Sequence, residues 1–269
     1  MKLILSFIAA ALLIFFFIRY LEQKSLYFPF ATLDITPQDM SMAYEDVHLT
    51  ATDNTKLHGW FIPSESSKAA VLLAHGNGGN ISHRLEKLKM LHDMHLDILI
   101  FDYRGYGLSS GSPSEEGIYR DVQVFYHYLV NEKNVSADSI IGYGESLGGA
   151  VIIDLAKGHA LGGLILEGAF TSVPDMARKL IPFLPAALLK TRFDSINKIR
   201  AIKAPKLFFH STSDEVVPFE LGRRLFEAAQ EPKEFVTLHG GHNDAFMVSH
   251  EEYVGHIHKF VSNIINDFH

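Results

Sequence analysis

The sequence predicts an α/β fold: a mostly parallel sheet covered by helices on both faces, with a small cap and an apolar helix at the N-terminus. Three observations carry this. From residue 70 onward, short apolar runs alternate with segments of helical periodicity. The runs are apolar throughout and not on alternate residues, as parallel strands buried on both faces require. A composition of 47% hydrophobic and 20% charged residues supplies a sizeable core. One such domain can absorb the chain of 269 residues.

The first element is a membrane signal. Residues 3–18 are apolar except for Ser6 and are flanked by Lys2 and Arg19. As a helix this run is about 24 Å long, a little short of a roughly 30 Å hydrocarbon core. Tyr20 and Leu21 extend it into the interface, where tyrosine is favoured. The stretch Arg19-Tyr20-Leu21-Glu22-Gln23-Lys24 offers no small-x-small cleavage site. The expectation is an uncleaved, single-pass anchor over residues 1–22, a linker over 23–43 and a catalytic domain over 44–269. Lys2 and the α-amino group face Arg19 and Lys24, so the charge bias that sets topology nearly cancels; the domain is expected on the extracytoplasmic side.

Residues 44–50 and 57–62 read as two strands joined by the turn-prone Asp53-Asn54, an antiparallel hairpin at the sheet edge. Further strands are expected at residues 70–74, 96–101, 139–143, 163–166, 205–210 and 234–238. Helices are expected at 81–94, 115–130, 147–156, 220–229 and 253–265. Residues 171–190 break the rhythm, because Pro174, Pro182 and Pro185 cannot share one straight helix. Short broken helices over something apolar, a cap-like insertion at 171–200, are the expectation. No internal repeat appears.

Composition excludes several functions. Lys+Arg number 24 against 31 Asp+Glu, a net charge of −7, so no basic face for nucleic acid is expected. There is no cysteine, which removes disulfides, thiolate metal sites and cysteine nucleophiles together. No metal site is expected, since His239 and His242 lie outside any His-Glu-x-x-His helix. No cofactor is expected either.

Gly144-Glu145-Ser146-Leu147-Gly148 is a G-x-S-x-G pattern where a strand hands over to a helix. The glycines allow a sharp turn that lifts the Ser146 hydroxyl clear of the sheet. The helix beginning near Leu147 aims its first N–H groups at the site. The Gly-rich loop His75-Gly76-Asn77-Gly78-Gly79-Asn80 follows the 70–74 strand. Acyl transfer needs N–H donors where a tetrahedral oxyanion forms, and those of Asn77 and Leu147 are the expected oxyanion hole. A phosphate-binding loop is discounted, because no Gly-Lys-Ser/Thr follows.

Serine needs a base to take its proton. His242 is well placed, in a loop after the last strand, where sites of parallel sheets assemble; His239 is its near competitor. The base needs an orienting carboxylate. Asp214, after the 205–210 strand, satisfies the chain order Ser…Asp…His, with Glu215 the adjacent alternative. Asp102 and Arg104 in Asp102-Tyr103-Arg104-Gly105-Tyr106-Gly107 are expected to hold loops by charge-assisted bonds.

Taken together, these motifs and Ser213-Asp214-Glu215-Val216-Val217-Pro218 and Gly240-Gly241-His242-Asn243 resemble the α/β-hydrolase superfamily from about residue 44 to the C-terminus. Within it the chain looks most like the branch with one N-terminal membrane anchor and a small cap, whose members include lysophospholipases and depalmitoylating thioesterases. The resemblance implies the α/β-hydrolase fold, Ser146 as nucleophile, His242 as base, Asp214 as acid, and Asn77 and Leu147 as oxyanion donors. It implies an ester or thioester substrate, a lipid or an acylated protein, at a membrane surface. A serine peptidase of aminopeptidase type and a non-catalytic membrane-tethered binding domain are the alternatives. The sequence carries no sign of oligomeric state.

Overall fold

The computed structural model describes residues 2–183 and 185–267, apart from some side chains of the first helix and those of residues 187 and 267. Helix α1 (Lys2–Leu26) opens the chain. Many of its side chains between residues 2 and 14 lie outside the described set, so the anchor expected over residues 1–22 falls partly there. Among the described residues, no helix is long and apolar enough to cross a membrane.

An eight-stranded sheet forms the centre. Its strands are β1 (Glu45–Thr50), β2 (Lys56–Ile62), β3 (Ala70–Ala74), β4 (Asp97–Asp102), β5 (Ile140–Glu145), β6 (Gly163–Glu167), β7 (Lys206–Ser211) and β8 (Lys233–Leu238). Their spatial order is β8-β7-β6-β5-β3-β4-β2-β1. β1 and β2 pair antiparallel, β2 joins β4 antiparallel, and all the remaining pairings are parallel. The hairpin is therefore the antiparallel edge, as its Asp53-Asn54 turn predicts.

Side-chain alternation along the strands divides the interior into two cores. Ala70, Leu72 and Ala74 enter one, while Val71 and Leu73 enter the other. On the first face lie α3 (Glu115–Asn131), α4 (Leu147–Gly158) and α7 (Phe219–Ala228). They contribute Ile118, Phe125, Val151 and Leu225, all fully buried. On the second face lie α2 (Leu85–His92) and α9 (His250–Asp267), through Leu88, Leu91, Ile257 and Ile264. Every strand from β3 to β7 is thus apolar on both sides because helices cover both sides.

The helix expected over 81–94 is shorter. Asn80 caps a 3-10 turn, Ile81–Arg84, by accepting the Ser82 N–H, and α2 begins only at Leu85. The proline-rich insertion forms α5 (Val173–Leu180), a 3-10 turn at Ala186–Leu188, α6 (Ser195–Lys198) and a 3-10 turn at Ile199–Ala201. Ser172 caps α5 with Pro174 in its first turn, where a missing N–H costs nothing. After β8 come α8 (Ala245–Val248) and the closing α9.

The 23–43 segment lies on the domain. Phe28-Pro29 pair in parallel with Gly78-Gly79 of the Gly-rich loop, and the Phe28 N–H donates to Asn77 O at 3.0 Å. The Asn80 amide donates to Phe30 O and Thr32 O. Tyr27 and Met42 are buried. This strap crosses the carboxyl ends of the strands, where the site lies.

Candidate active site

Ser146 sits between β5 and α4 with φ 50° and ψ −111°. Such a backbone costs a non-glycine residue about 1–3 kcal/mol and persists only where the surroundings enforce it. Enforcement here is by close packing. The Ser146 N–H donates to Glu167 O at 2.8 Å. A Cβ built on Gly148 would overlap the Ala74 carbonyl, and one on Gly144 would lie 2.5 Å from Gly148 O. No larger residue fits between β3, β5 and the start of α4. Gly148→Ala is expected to destabilise the fold by about 3 kcal/mol; a urea midpoint equal to wild type would show that the elbow has room.

His242, in the loop after β8, places Nδ1 2.7 Å from Asp214 Oδ2. Asp214 stands in the loop after β7 with its side chain buried, and its Oδ1 accepts the N–H groups of Val216 (2.9 Å) and Val217 (2.7 Å). Burial works against its ionisation, but the His242 bond and these two N–H donors outweigh it and hold the carboxyl below its usual range. His210 lies beneath, 3.5 Å from Asp214 Oδ2. Burial lowers its pKa and keeps it neutral, so its Nε2–H donates to Val217 O at 2.9 Å. Glu215 does not take Asp214's position: its carboxylate accepts the backbone N–H of His242 at 3.0 Å and fixes the loop instead. His239 makes a backbone bond to Ser249 Oγ and does not line the cleft. The His242 ring lies over Gly168, where a Cβ would come 3.0 Å from its Cε1.

Ser146, His242, Asn77 and Gly76 line one open cleft of about 770 Å³. The Asn77 peptide is held from behind, its carbonyl accepting Phe28 N and Tyr106 Oη (2.9 Å). The adjacent His75 carbonyl accepts Tyr103 Oη at 2.6 Å. Leu147 is the first residue of α4, and its N–H is one of those a helix leaves unpaired. Asp102 accepts the Ile81 N–H at 3.1 Å, and Arg104 grips Asp121 and Asp53, so both hold loops.

Sequence reasoning missed the charged group behind the serine. Glu145 and Glu167 end adjacent parallel strands in register. Lys87 of α2, 4% exposed at its side chain, binds both carboxylates, with Glu167 Oε2 at 2.5 Å. Arg84 donates to Glu145 at 2.8 Å and to Gly78 O of the Gly-rich loop at 3.0 Å. Tyr143 and Tyr253 complete the cluster through hydroxyl bonds to Glu167 (2.5 and 2.8 Å). Lys87 also lies over the Phe246 ring, 4.5 Å from its centroid. Burial disfavours charge on Glu145, yet Lys87 and Arg84 more than offset it and hold its carboxyl well below the usual range.

Comparison with known proteins places the chain in a family. The chain is 34% identical over 260 residues to the α/β hydrolase domain-containing protein WAV2 of Arabidopsis thaliana, covering 86% of this chain and 84% of that protein. The chain belongs to the α/β-hydrolase family. This hydrolase is also 35% identical over 263 residues to the uncharacterized protein Rv2307c of Mycobacterium tuberculosis, covering 96% of this chain and 93% of that one. Residues 65–197 match the Hydrolase_4 family, described as serine aminopeptidase, S33. Among solved structures, the Pyrococcus furiosus esterase Pf2001 superposes with a TM-score of 0.74 at 22% identity, covering 89% of this chain and 98% of that one. At that identity the likeness concerns the fold.

Proposed function

We propose that this protein is a serine hydrolase that cleaves carboxylic ester or thioester bonds of acyl substrates through Ser146, His242 and Asp214. One observation carries the reading: a strained Ser146 shares its cleft with a histidine whose far nitrogen is bonded to a buried, ionised aspartate. In this reading Ser146 Oγ attacks the acyl carbonyl while His242 Nε2 takes its proton. Asp214 holds the imidazole tautomer and stabilises the imidazolium. The Asn77 and Leu147 N–H groups receive the oxyanion, each contributing roughly 3 kcal/mol to the barrier reduction. The tetrahedral adduct collapses, the alcohol or thiol leaves with the proton from His242, and the acyl group remains on Ser146. Water, deprotonated by His242, then attacks the acyl-enzyme and releases the acid.

The same reading takes residues 1–22 as a single-pass anchor, with the domain on the extracytoplasmic side and lipids or acylated proteins as substrates. Support comes from the apolar 3–18 run. A peptidase is the second reading, favoured by the serine aminopeptidase description of the matching family. An aminopeptidase needs a carboxylate to hold the substrate ammonium; Glu145 and Glu167 in the cleft are already paired with Lys87 and Arg84, which leaves Asp34 and Glu86 of the same lining for that task.

A fluorophosphonate probe tests the nucleophile. Wild type in detergent is expected to label, and Ser146→Ala and His242→Ala are expected not to. Undiminished labelling of folded Ser146→Ala would remove Ser146 from its role. Cleavage of amide reporters at rates matching esters would favour the peptidase.

A further inference from the structure

Among the described residues outside α1, every large apolar side chain that is exposed lies at the carboxyl ends of the parallel strands or on the strap that crosses them. Phe28 and Phe30 stand on the strap, and Leu108 follows β4. Ile181 and Phe183, the latter 95% exposed, stand on the cap, and Met247 follows β8. Single exposed apolar residues scattered over a surface need no account, but a set confined to the mouth of one cleft does. Among the described residues, the opposite end of the sheet carries none.

Charge follows the same distribution. The cap at 171–200 holds Arg178, Lys179, Lys190, Arg192, Lys198 and Arg200 against Asp175 and Asp194, a basic excess in a chain of net charge −7. Arg178 and Lys179 pair with Asp175 and Glu220 but remain 63% and 43% exposed at their side chains. The Lys179–Glu220 pair is exposed on both sides and holds weakly, while Arg178 keeps its outer face in solvent although its partner Asp175 is buried, so both cations can also meet an anionic surface. An apolar stretch flanked by basic residues is the pattern of a segment lying in a lipid interface.

α1 arrives on the same side. Glu22 in its last turns accepts the N–H groups of Lys190 (3.1 Å) and Thr191 (2.7 Å), joining helix to cap. Tyr27 then packs against Phe193, and the strap begins at Phe28.

We infer that the cap and strap form a docking face for an anionic phospholipid bilayer, which turns the mouth of the Ser146 cleft toward the membrane. Acyl chains would then pass from bilayer to cleft without crossing water. The inference rests on the acyl-hydrolase reading for its consequence, not for its geometry.

The test uses the full chain reconstituted in phosphatidylcholine vesicles with and without phosphatidylglycerol. Because the chain has no cysteine, Phe183→Cys provides a unique labelling site for an environment-sensitive fluorophore. Glu65→Cys, in the exposed loop between β2 and β3 at the opposite end of the sheet, is the control. The label at position 183 is expected to shift blue and to be quenched by lipids carrying a quencher on the acyl chain, more so with phosphatidylglycerol present. The label at 65 should stay in water. Wild type is expected to cleave a bilayer-resident acyl ester roughly tenfold faster with phosphatidylglycerol, and Arg178→Gln/Lys179→Gln should bring that ratio near parity. An unquenched label at 183 in protein that still cleaves a water-soluble ester overturns the docking face and leaves the hydrolase reading intact. Quenching without any ester cleavage by folded wild type does the reverse. Quenching that ignores phosphatidylglycerol overturns the anionic-lipid assignment.

Discussion

Ser146→Ala is expected to lower the rate of acyl-ester cleavage by roughly 10⁴-fold or more without weakening the fold. In the proposed mechanism no acyl-enzyme can form without Oγ, and only the oxyanion donors and substrate binding remain. Stability should move the other way. Ser146 holds φ 50° and ψ −111° because Gly144 and Gly148 pack α4 tightly against β3 and β5 and because its N–H is bonded to Glu167 O. That conformation is one glycine adopts without strain. Ser146→Gly should therefore be as inactive as Ser146→Ala and more stable than wild type by roughly 1 kcal/mol. Ester turnover and urea midpoints on the three proteins check both halves. Residual turnover above a few per cent would point to another nucleophile, and a lowered midpoint for Ser146→Gly would show that the elbow carries no strain.

The sharp turn at Ser146 was legible in the sequence, because G-x-S-x-G lies between an apolar strand and a helix. So were the helices that cover the sheet, since Ile118, Val122, Phe125 and Leu129 recur at helical spacing and all are buried. The loops after β7 and β8 were also readable: an aspartate and a histidine follow the strand ends, and the structure brings Asp214 and His242 within hydrogen-bond reach. What the sequence hid were pairings across long separations. Residues 23–43 lack periodicity and read as a linker. Their place on the domain depends on backbone bonds to Asn77 and Gly79 and on the Asn80 side chain, which no local pattern announces. The truncation of α2 depends on Asn80 capping a 3-10 turn first. The buried charges had a partial signal. Two apolar strands, β5 and β6, both end in glutamate, and side-by-side carboxylates require a cation. Nothing in the sequence says that the cation is Lys87, on a helix whose other lysine, Lys89, is only half-buried and pairs with Asp93.

Lys87→Met is the substitution expected to cost most in stability, about 3–5 kcal/mol. A methionine fills the same space, so the loss is electrostatic. Lys87 is the ammonium shared by Glu145 and Glu167, and Arg84 reaches only Glu145. Removing it leaves Glu167 with two tyrosine hydroxyls and no cation. The pH dependence separates this from lost packing. In wild type the folded-state pKa of Glu145 is depressed, because Lys87 and Arg84 outweigh burial. The stabilisation it brings is therefore full above the ordinary carboxylate range and is lost only as pH falls through the depressed value. In Lys87→Met, burial faces only Arg84, so Glu145 takes up a proton at higher pH than in wild type. The difference between the two proteins should be largest at neutral pH and shrink as the medium turns acidic. Adding Glu167→Gln to Lys87→Met should recover part of it, since the carboxylate left without a cation disappears. Urea titrations of the three proteins across that range decide the matter; a pH-independent loss with no recovery would mean that Lys87 acts through its contact with Phe246. Turnover should fall as well, by roughly 10- to 100-fold. Glu145 adjoins Ser146, Glu167 O holds the Ser146 N–H, and Arg84 ties Glu145 to the loop that carries Asn77. A shift of that frame moves hydroxyl and oxyanion donors relative to each other, which lowers kcat more than it changes KM.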